Sequence, residues 1–445
     1  MDTIFALCSG AGKSGVAVFR ISGPSSLVAI KQLIKSNSQE LQPRILHFRK
    51  IYSPKTKSQI DEAMVVYFEE NSSFTGEEAA EIHVHGSIAV IKLMHETLLN
   101  LPTLRLAEPG EFARRAFLNG KFDLTAAEGL ADLIDAETEL QHKQAIRQLG
   151  GGLEKLYDSW REQLLKLIAL IEAYIDFPDE DIPDKVLNDA NNSVKQLTSQ
   201  ISTHLNDSNR GERLRSGLKL VILGKPNVGK STLLNFLMKR EVAIVSDIAG
   251  TTRDIIEGHL DIAGYPIIIQ DTAGIRADSN DLIEKEGINR AKQASENSDI
   301  KIIIYDAQNK DFSDDYFISL IDENSIILAN KIDLCAGKIP EQIKGHNILA
   351  VSIKNNINSA AIFQAIETIA QRIANPTEAP QITRARHRMQ LEQTLEHLSL
   401  FSFQNDLVLG AEDIRMAMRQ ISNITGKITV DEILGEIFSN FCIGK

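Results

Sequence analysis

The run Gly224-Lys-Pro-Asn-Val-Gly229-Lys230-Ser231 has the spacing of a phosphate-binding loop. Its glycines let backbone N–H groups close around phosphate oxygens. Lys230 brings a point charge to the β and γ phosphates, and the Ser231 hydroxyl can ligate Mg²⁺. The segment Asn227, Val228, Gly229, Lys230, Ser231 and Thr232 is therefore a candidate nucleotide cradle. Asp271-Thr272-Ala273-Gly274 adds a carboxylate near the metal and a glycine amide able to report on the γ phosphate. Asn330-Lys331-Ile332-Asp333 supplies an aspartate that can accept both N1–H and the 2-amino group of guanine, a pair adenine cannot offer. The base is thus read as that of GTP, because any other base would leave the carboxylate unpaired. Ser352-Ile353-Lys354 stands where a last loop would close over the base, although isoleucine occupies the position where alanine is usual.

Hydrolysis needs an oriented water and a compensating charge. Ile275, directly after Gly274, cannot orient water, so the candidate is Glu284 in Asn280-Asp-Leu-Ile-Glu284-Lys; its alternative role is a solvated acid at a helix start. No arginine lies in the phosphate loop. Asn227 can coordinate a cation or simply shape a turn, and Arg253 and Arg276 are the alternative sources of charge.

These residues need strands to carry them. Short β-rich runs at Lys219-Leu223, Pro266-Gln270, Ile302-Tyr305, Ser325-Ala329 and Asn347-Val351, separated by stretches long enough for crossover helices, predict a parallel doubly wound sheet over 216–376. On either side, 119–215 and 377–445 read as two halves of one discontinuous all-α domain into which the α/β domain is inserted. Leu153, Leu156, Trp160, Leu164, Leu167, Ile171 and Ile175 recur at helical spacing after Gly150-Gly151-Gly152, which should interrupt the helix. Thr125-Ala-Ala-Glu128 and Thr429-Val-Asp-Glu432 have the form of capping boxes, the second leading into an apolar face of Ile433, Ile437 and Phe441. Residues 1–118 mix alternating segments, Val16-Ile21 and Ala80-His85, with short helical stretches and read as α+β.

Composition narrows the class. A chain of 445 residues allows about three domains, with 43% hydrophobic and 24% charged residues as in ordinary globular proteins. Cys8, Cys335 and Cys442 are too sparse for a disulfide framework or structural zinc, which fits a cytoplasmic protein, and no apolar run is long enough for a membrane span. The formal charge of −12 argues against a surface that grips nucleic acid everywhere. His83 and His85 alternate on one segment without further ligands. Cys442 does not make a prenylation site, because Gly444-Lys445 and the acidic Asp431, Glu432 and Glu436 are the wrong surroundings.

The three ordered motifs resemble the translation-factor-like branch of P-loop GTPases, and Gly250-Thr-Thr-Arg-Asp254 resembles the switch segment of the Era and MnmE (TrmE) group. With the inserted-domain layout and the ending Phe441-Cys442-Ile443-Gly444-Lys445, the resemblance extends to the MnmE family of tRNA modification GTPases over the whole chain. It implies that Ser246, Asp247, Ile248, Ala249, Gly250, Thr251 and Thr252 fold over the nucleotide. Thr252 would then join Ser231 on Mg²⁺, and Ser246, Ile248 and Thr251 would join Asn227 around K⁺. It implies that Glu284 acts in hydrolysis. It also implies that 1–118 dimerises and binds a 5-formyl- or 5,10-methylene-tetrahydrofolate through Arg20, Glu81, Lys121 and Lys445. A folate's glutamate tail suits Arg or Lys, and its pterin N–H groups suit a carboxylate.

The resemblance further implies a homodimer working with an FAD-carrying partner, MnmG (GidA), as a heterotetramer. That complex installs an aminomethyl or carboxymethylaminomethyl group at C5 of the tRNA wobble uridine, with Cys442 as a candidate reactive thiol beside the folate. The competing expectation is a GTP switch in ribosome assembly or RNA binding, for which Thr383-Arg-Ala-Arg-His-Arg388 is the local hint.

Overall fold

Alternation along Ala17-Val-Phe-Arg-Ile-Ser22 sends Ala17, Phe19 and Ile21 to one side of a strand and Arg20 and Ser22 to the other, and this period of two organises the N-terminal part of the molecule. The computed structural model describes residues 2–10, 12–34, 41–176, 184–240, 257–270, 292–309, 312–335, 337–402, 407–428, 431–439 and 441–444. In chain order the first elements are β1 (Thr3–Leu7), β2 (Ala17–Ser22), α1 (Ser26–Leu33), β3 (His47–Tyr52), β4 (Gln59–Phe68), β5 (Ala79–Val84), α2 (Ile88–Leu99), β6 (Leu104–Leu106), α3 (Glu111–Leu118) and α4 (Leu124–Asp135). The six strands form one sheet in the order β3-β4-β5-β2-β1-β6, antiparallel except for β1 with β6.

Phe5, Phe19, Ile21 and Ile82 pack with Ala29, Ile30 and Leu33 of α1 and Met94 and Leu98 of α2 on one face. The other face carries Ile4 and Ala6 against Ala107 and Phe112, and beside them the cross-strand pair Arg20 and Glu81. The expected α+β character of this part is what its elements display.

The helical segments follow as α5 (Glu139–Leu149), α6 (Gly152–Asp176), α7 (Asp184–Leu205) and α8 (Arg210–Ser216). The glycine triplet breaks the helix as expected, with Gly151 at φ 77° between α5 and α6, and Leu153, Trp160, Leu164 and Ile171 of α6 are buried. The expected capping box at Thr125 is not the start of α4. The helix begins one residue earlier, and Asp123 caps it, its carboxylate accepting from the Ala126 N–H at 2.8 Å and from the Thr125 hydroxyl at 2.9 Å. Aspartate is as good a cap as threonine and lies two residues upstream, so the box pattern was a shifted reading of a real helix start.

By its internal contacts the chain forms two compact units, Met1–Ala131 with Leu149–Arg161 and Arg419–Lys445, and Asp132–Gln148 with Glu162–Met418. The second unit is built on β7 (Leu218–Leu223), α9 (Lys230–Arg240), β8 (Glu257–Ile262), β9 (Tyr265–Gln270), β10 (Ile300–Asp306), α10 (Asp315–Ser319), β11 (Ser325–Asn330), β12 (Gln342–Ile343), β13 (His346–Ala350) and α11 (Ala360–Ala374). All five expected strands are present, and they run parallel in the order β13-β11-β10-β7-β9. Antiparallel edges β8 and β12, absent from the sequence reading, flank them. β8 was hard to see because its hairpin to β9 turns through Ala263-Gly264, with Ala263 at φ 52°, where an Asn-Gly signal would normally advertise the turn. Near-continuous apolar runs such as Ile302-Ile-Ile304 reflect burial on both faces.

The remaining helices are α12 (Ala385–Leu400), α13 (Leu407–Thr425) and α14 (Asp431–Ser439). The buried cluster of the last holds the expected Phe441 together with Leu434 and Phe438, and the expected Ile437 packs at its margin, so the apolar face is wider than the expected stripe; the Ile433 side chain lies outside the described residues.

In the second unit α7 packs on α12, and His204 of α7 is held neutral there. Burial lowers it from 6.5 to about 4, with His387 and Arg388 adding repulsion and Asp207 opposing the shift. The folded state therefore resists a proton that the unfolded chain accepts near pH 6.5. This contribution is complete above pH 6.5 and is lost as pH falls toward 4, a total of about 3 kcal/mol at roughly 1.4 kcal/mol per pH unit. Thermal melts between pH 7 and 4 should show the second unit's transition falling with acid, and His204→Gln should flatten that fall.

Candidate functional site

The loops after β7, β11 and β13 meet at one end of the sheet, the carboxyl ends where open α/β sheets bind ligands. The phosphate loop leaves β7 at Gly224 and enters α9 at Lys230, so the expected strand–loop–helix context is met. Three of its residues take positive φ, Gly224 at 153°, Asn227 at 64° and Gly229 at 110°. The Lys230 ammonium folds back over the loop and donates to the Gly224 and Lys225 carbonyls at 2.7 and 2.8 Å.

Asn330, at the end of β11, ties this loop to the rest of the site. Its Nδ2 donates to the Val228 carbonyl at 2.9 Å, and its Oδ1 accepts from the Ile353 N–H at 3.2 Å. The approach is so close that a Cβ on Gly229 would overlap Nδ2, which is why the loop has glycine there. Lys331, itself at φ 65°, donates to the Asn227 carbonyl and to Asp306 Oδ2, both at 2.7 Å. Asp306, buried at the end of β10, belongs to no motif; its only signal in the sequence is an acid ending an apolar strand.

Asp333 sits on the single turn Ile332–Leu334 and is exposed, and no hydrogen bond engages its carboxylate among the described residues. The Ser352 main chain pairs with Ile357 in both directions, at 3.1 and 2.9 Å. The Ile353 N–H is committed to Asn330, and Lys354 is exposed. Ser231 and Thr232 are exposed at the start of α9. The residues expected from 246–252, together with Asp271, Thr272, Ala273, Gly274, Glu284, Arg253 and Arg276, lie outside the described residues. A separate cavity of about 160 Å³, lined by Asp135, Gln141, Arg215 and His259, lies at the starting ends of β7 and β9, opposite the nucleotide loops, and contains none of the expected site residues.

In the first unit, the sheet brings Arg20 and Glu81 together as neighbours on β2 and β5. Arg20 Nε donates to Glu81 Oε1 at 3.0 Å, and His83 lies 3.3 Å from the other carboxylate oxygen. His83 is thereby a partner of Glu81, while His85 pairs with Asp61 at 2.8 Å on its own. Among the described residues no group of His, Cys, Asp or Glu could hold a metal. Lys121 donates to the Asn71 carbonyl at 2.8 Å, in the loop between β4 and β5 whose Phe74 lies over Arg20. Arg20 and Lys121 therefore border one loop, with Glu81 held on Arg20; Lys445 lies outside the described residues.

Residues 441–444 are docked in the same unit. Phe441 is buried, Ile443 bridges Pro109, the Gly110 N–H reaches the Cys442 carbonyl at 3.5 Å, and Gly444, at φ 101°, lies so close to the Leu7 carbonyl that a Cβ would overlap it. The Cys442 residue itself is exposed.

Comparison with known proteins decides the family. A model described as "GTP-binding protein TrmE N-terminus" matches residues 3–121, and one described as "MnmE helical domain" matches residues 124–442. Proteins named tRNA modification GTPase MnmE from Rickettsia typhi and Rickettsia akari are 59% and 60% identical, each over 100% of both chains. The chain belongs to the MnmE family. Among solved structures, Era in complex with MgGDPNP and 16S ribosomal RNA nucleotides aligns with 40% of this chain and 66% of its own, at 26% identity and a TM-score of 0.26.

The family's groups can be tested against these residues. For a nucleotide with Mg²⁺ the fit is good, with an ammonium, a hydroxyl and a left-handed loop at a helix start. For K⁺, the Asn227 side chain is exposed, so its carboxamide oxygen is accessible to a cation. A folate is suited by a guanidinium and a carboxylate side by side on the central strands β2 and β5, each about one-fifth exposed. Two of the three arginines that hinted at an RNA surface are engaged within the fold: Arg384 pairs with Asp132 at 2.6 Å, and Arg388 with Asp207 at 2.7 Å and Glu212 at 3.3 Å.

Because its carboxylate is unengaged and faces solvent, Asp333→Asn should leave the fold intact while weakening GTP binding by about tenfold or more, the worth of a charged hydrogen bond, and improving binding of xanthosine triphosphate. Equilibrium titration with both nucleotides checks this.

Proposed function

We propose that this GTPase of tRNA modification uses K⁺-assisted GTP hydrolysis to drive folate-dependent one-carbon addition at C5 of the wobble uridine, yielding an aminomethyl or carboxymethylaminomethyl group. The observation that carries the folate half is the Arg20–Glu81 pair sharing one loop with Lys121. The nucleotide half rests on Asn330, which binds the phosphate loop and the last loop together.

In this reading Lys230 exchanges its two loop carbonyls for phosphate oxygens, and Ser231 with Thr252 holds Mg²⁺. Asp333 selects guanine. Glu284 orients the attacking water, a role Ile275 cannot fill. Asn227, with oxygens of Ser246, Ile248 and Thr251, holds K⁺, which when bound supplies positive charge where an arginine finger would otherwise stand. In the first unit the Arg20–Glu81 pair binds one end of a tetrahydrofolate, Glu81 accepting from its pterin N–H groups, and Lys121, joined by Lys445, binds the anionic tail. The bound folate supplies the one-carbon unit. The chain is further proposed to act as a cytoplasmic homodimer with an FAD-carrying MnmG partner, on tRNA. Among the described residues, no helix is long and apolar enough to cross a membrane.

Mass analysis of wobble uridine in tRNA from cells lacking this protein should find the modification gone; normal modification would sink the proposal. Hydrolysis should be faster in K⁺ than in Na⁺ at equal ionic strength. Asn227→Ala should abolish that difference and alter nucleotide affinity much less than turnover, while Glu284→Ala should slow turnover and spare GTP binding. Cys442→Ser should leave GTP hydrolysis intact and remove tRNA modification in a complementation assay. Full modification by that variant would leave residues 441–444 a docking role alone.

A further inference from the structure

Arg20 is held by more than its carboxylate. Its guanidinium carbon lies 5.2 Å from the Phe74 ring centroid and 5.7 Å from that of Phe112. Phe112 is fully buried on α3, fixed against Ile4, Ala6 and Ala107, whereas Phe74 stands in the loop between β4 and β5 and is 36% exposed. Two aromatic faces attract the cation and restrict it to the one direction in which Nε and Nη2 meet Glu81, at 3.0 and 2.9 Å.

The loop that carries Phe74 is stiff. The Asn71 N–H donates to the Gly76 carbonyl at 2.8 Å, and the Ser73 hydroxyl to the Glu77 carbonyl at 2.5 Å. Asn119 Nδ2 donates to the Thr75 carbonyl at 2.8 Å, and Glu77 receives Ser22 of β2 and the buried Arg115 of α3. Phe74 also meets the Phe122 ring at 6.0 Å, next in sequence to Lys121, whose ammonium is tied to Asn71. One ring therefore touches the support of both cations.

We propose that Phe74 is a positioning residue of the folate site: it acts through Arg20, fixing the guanidinium on Glu81, so that the ligand meets a preformed guanidinium–carboxylate pair. The inference rests on the proposed folate reading and goes beyond it by assigning a residue with neither charge nor polar atom. A loose guanidinium would have to be ordered at binding, and the cost would appear as lost affinity.

The test uses the full chain and 5-formyltetrahydrofolate as probe, titrated calorimetrically against wild type, Arg20→Ala, Phe74→Leu, Phe74→Tyr and the double variant Arg20→Ala with Phe74→Leu. Leucine keeps apolar volume in the loop and removes the π face, and melting curves verify that each variant folds. Phe74→Leu should raise Kd by about threefold to thirtyfold, the range of a cation–π contact, and Phe74→Tyr should restore it. The double variant should bind no worse than Arg20→Ala alone, because Phe74 works through that arginine. Without ligand, the Arg20 Nε–H resonance should sit at a ring-shifted position in wild type and Phe74→Tyr and move toward its free value in Phe74→Leu.

Unchanged affinity in Phe74→Leu, additive losses in the double variant, or an unmoved resonance would overturn the positioning role while the folate reading stood. Unchanged affinity in Arg20→Ala would overturn both.

Discussion

One carboxamide governs the nucleotide end of the second unit. Asn330 is almost wholly buried, donates to the Val228 carbonyl and accepts from the Ile353 N–H. Each bond is worth only about 1 kcal/mol net, yet losing either partner strands a buried polar group at a cost of about 1–3 kcal/mol. The loop after β7 and the loop after β13 are therefore held to the end of β11 and hence to each other. Gly229 exists in its form because Nδ2 passes where a side chain would be, and Lys331, one residue on, repeats the tie to Asn227 with a charge. The site's shape is a property of this junction more than of any loop alone.

A comparable economy shapes the first unit. Period-two alternation on β2 and β5 gives the sheet an oily face for α1 and α2, and a second face where polar residues survive under partial cover. Arg115 illustrates how this cover is secured. It is buried on α3 and shared among Glu111, Glu77 and Asp2, and the combined pull of Arg105 and Arg115 holds the Asp2 carboxyl down to about 2. Buried charge of this kind does little for net stability, but it links α3 to the β4–β5 loop and to Asp2, the residue before β1.

What the sequence made legible follows from how local each signal is. The parallel strands and the phosphate loop announce themselves within a few residues, as apolar runs and a spaced glycine motif. Asp306, Phe74 and Phe112 do not, because their significance arises only when distant strands pair and bring Lys331 or Arg20 beside them. The start of α4 was displaced because aspartate and threonine offer the same capping chemistry at neighbouring positions, and only the carboxylate's actual bonds distinguish them. The apolar face of α14 is wider than the expected stripe for a related reason: Leu434 and Phe438 stand beside Ile437 and Phe441, and periodicity alone does not say which of adjacent apolar positions is buried most deeply.

The bridge between Pro109 and Ile443 also has a temporal meaning. The N-terminal sheet leaves the ribosome early, yet residues that seal the end of β1 and cover α3 are synthesised roughly 330 positions later. During that interval Ala113, Leu124 and Ala127 wait without the Leu434, Phe438 and Phe441 side chains that bury them. Closure of the first unit therefore waits for residues 434–443, and contacts of such long sequence separation form late, since loop closure must precede the contacts that reward it. A chain cut short anywhere in the second unit would leave the apolar α3–α4 surface open, so this single docking event registers whether residues 434–443 have arrived.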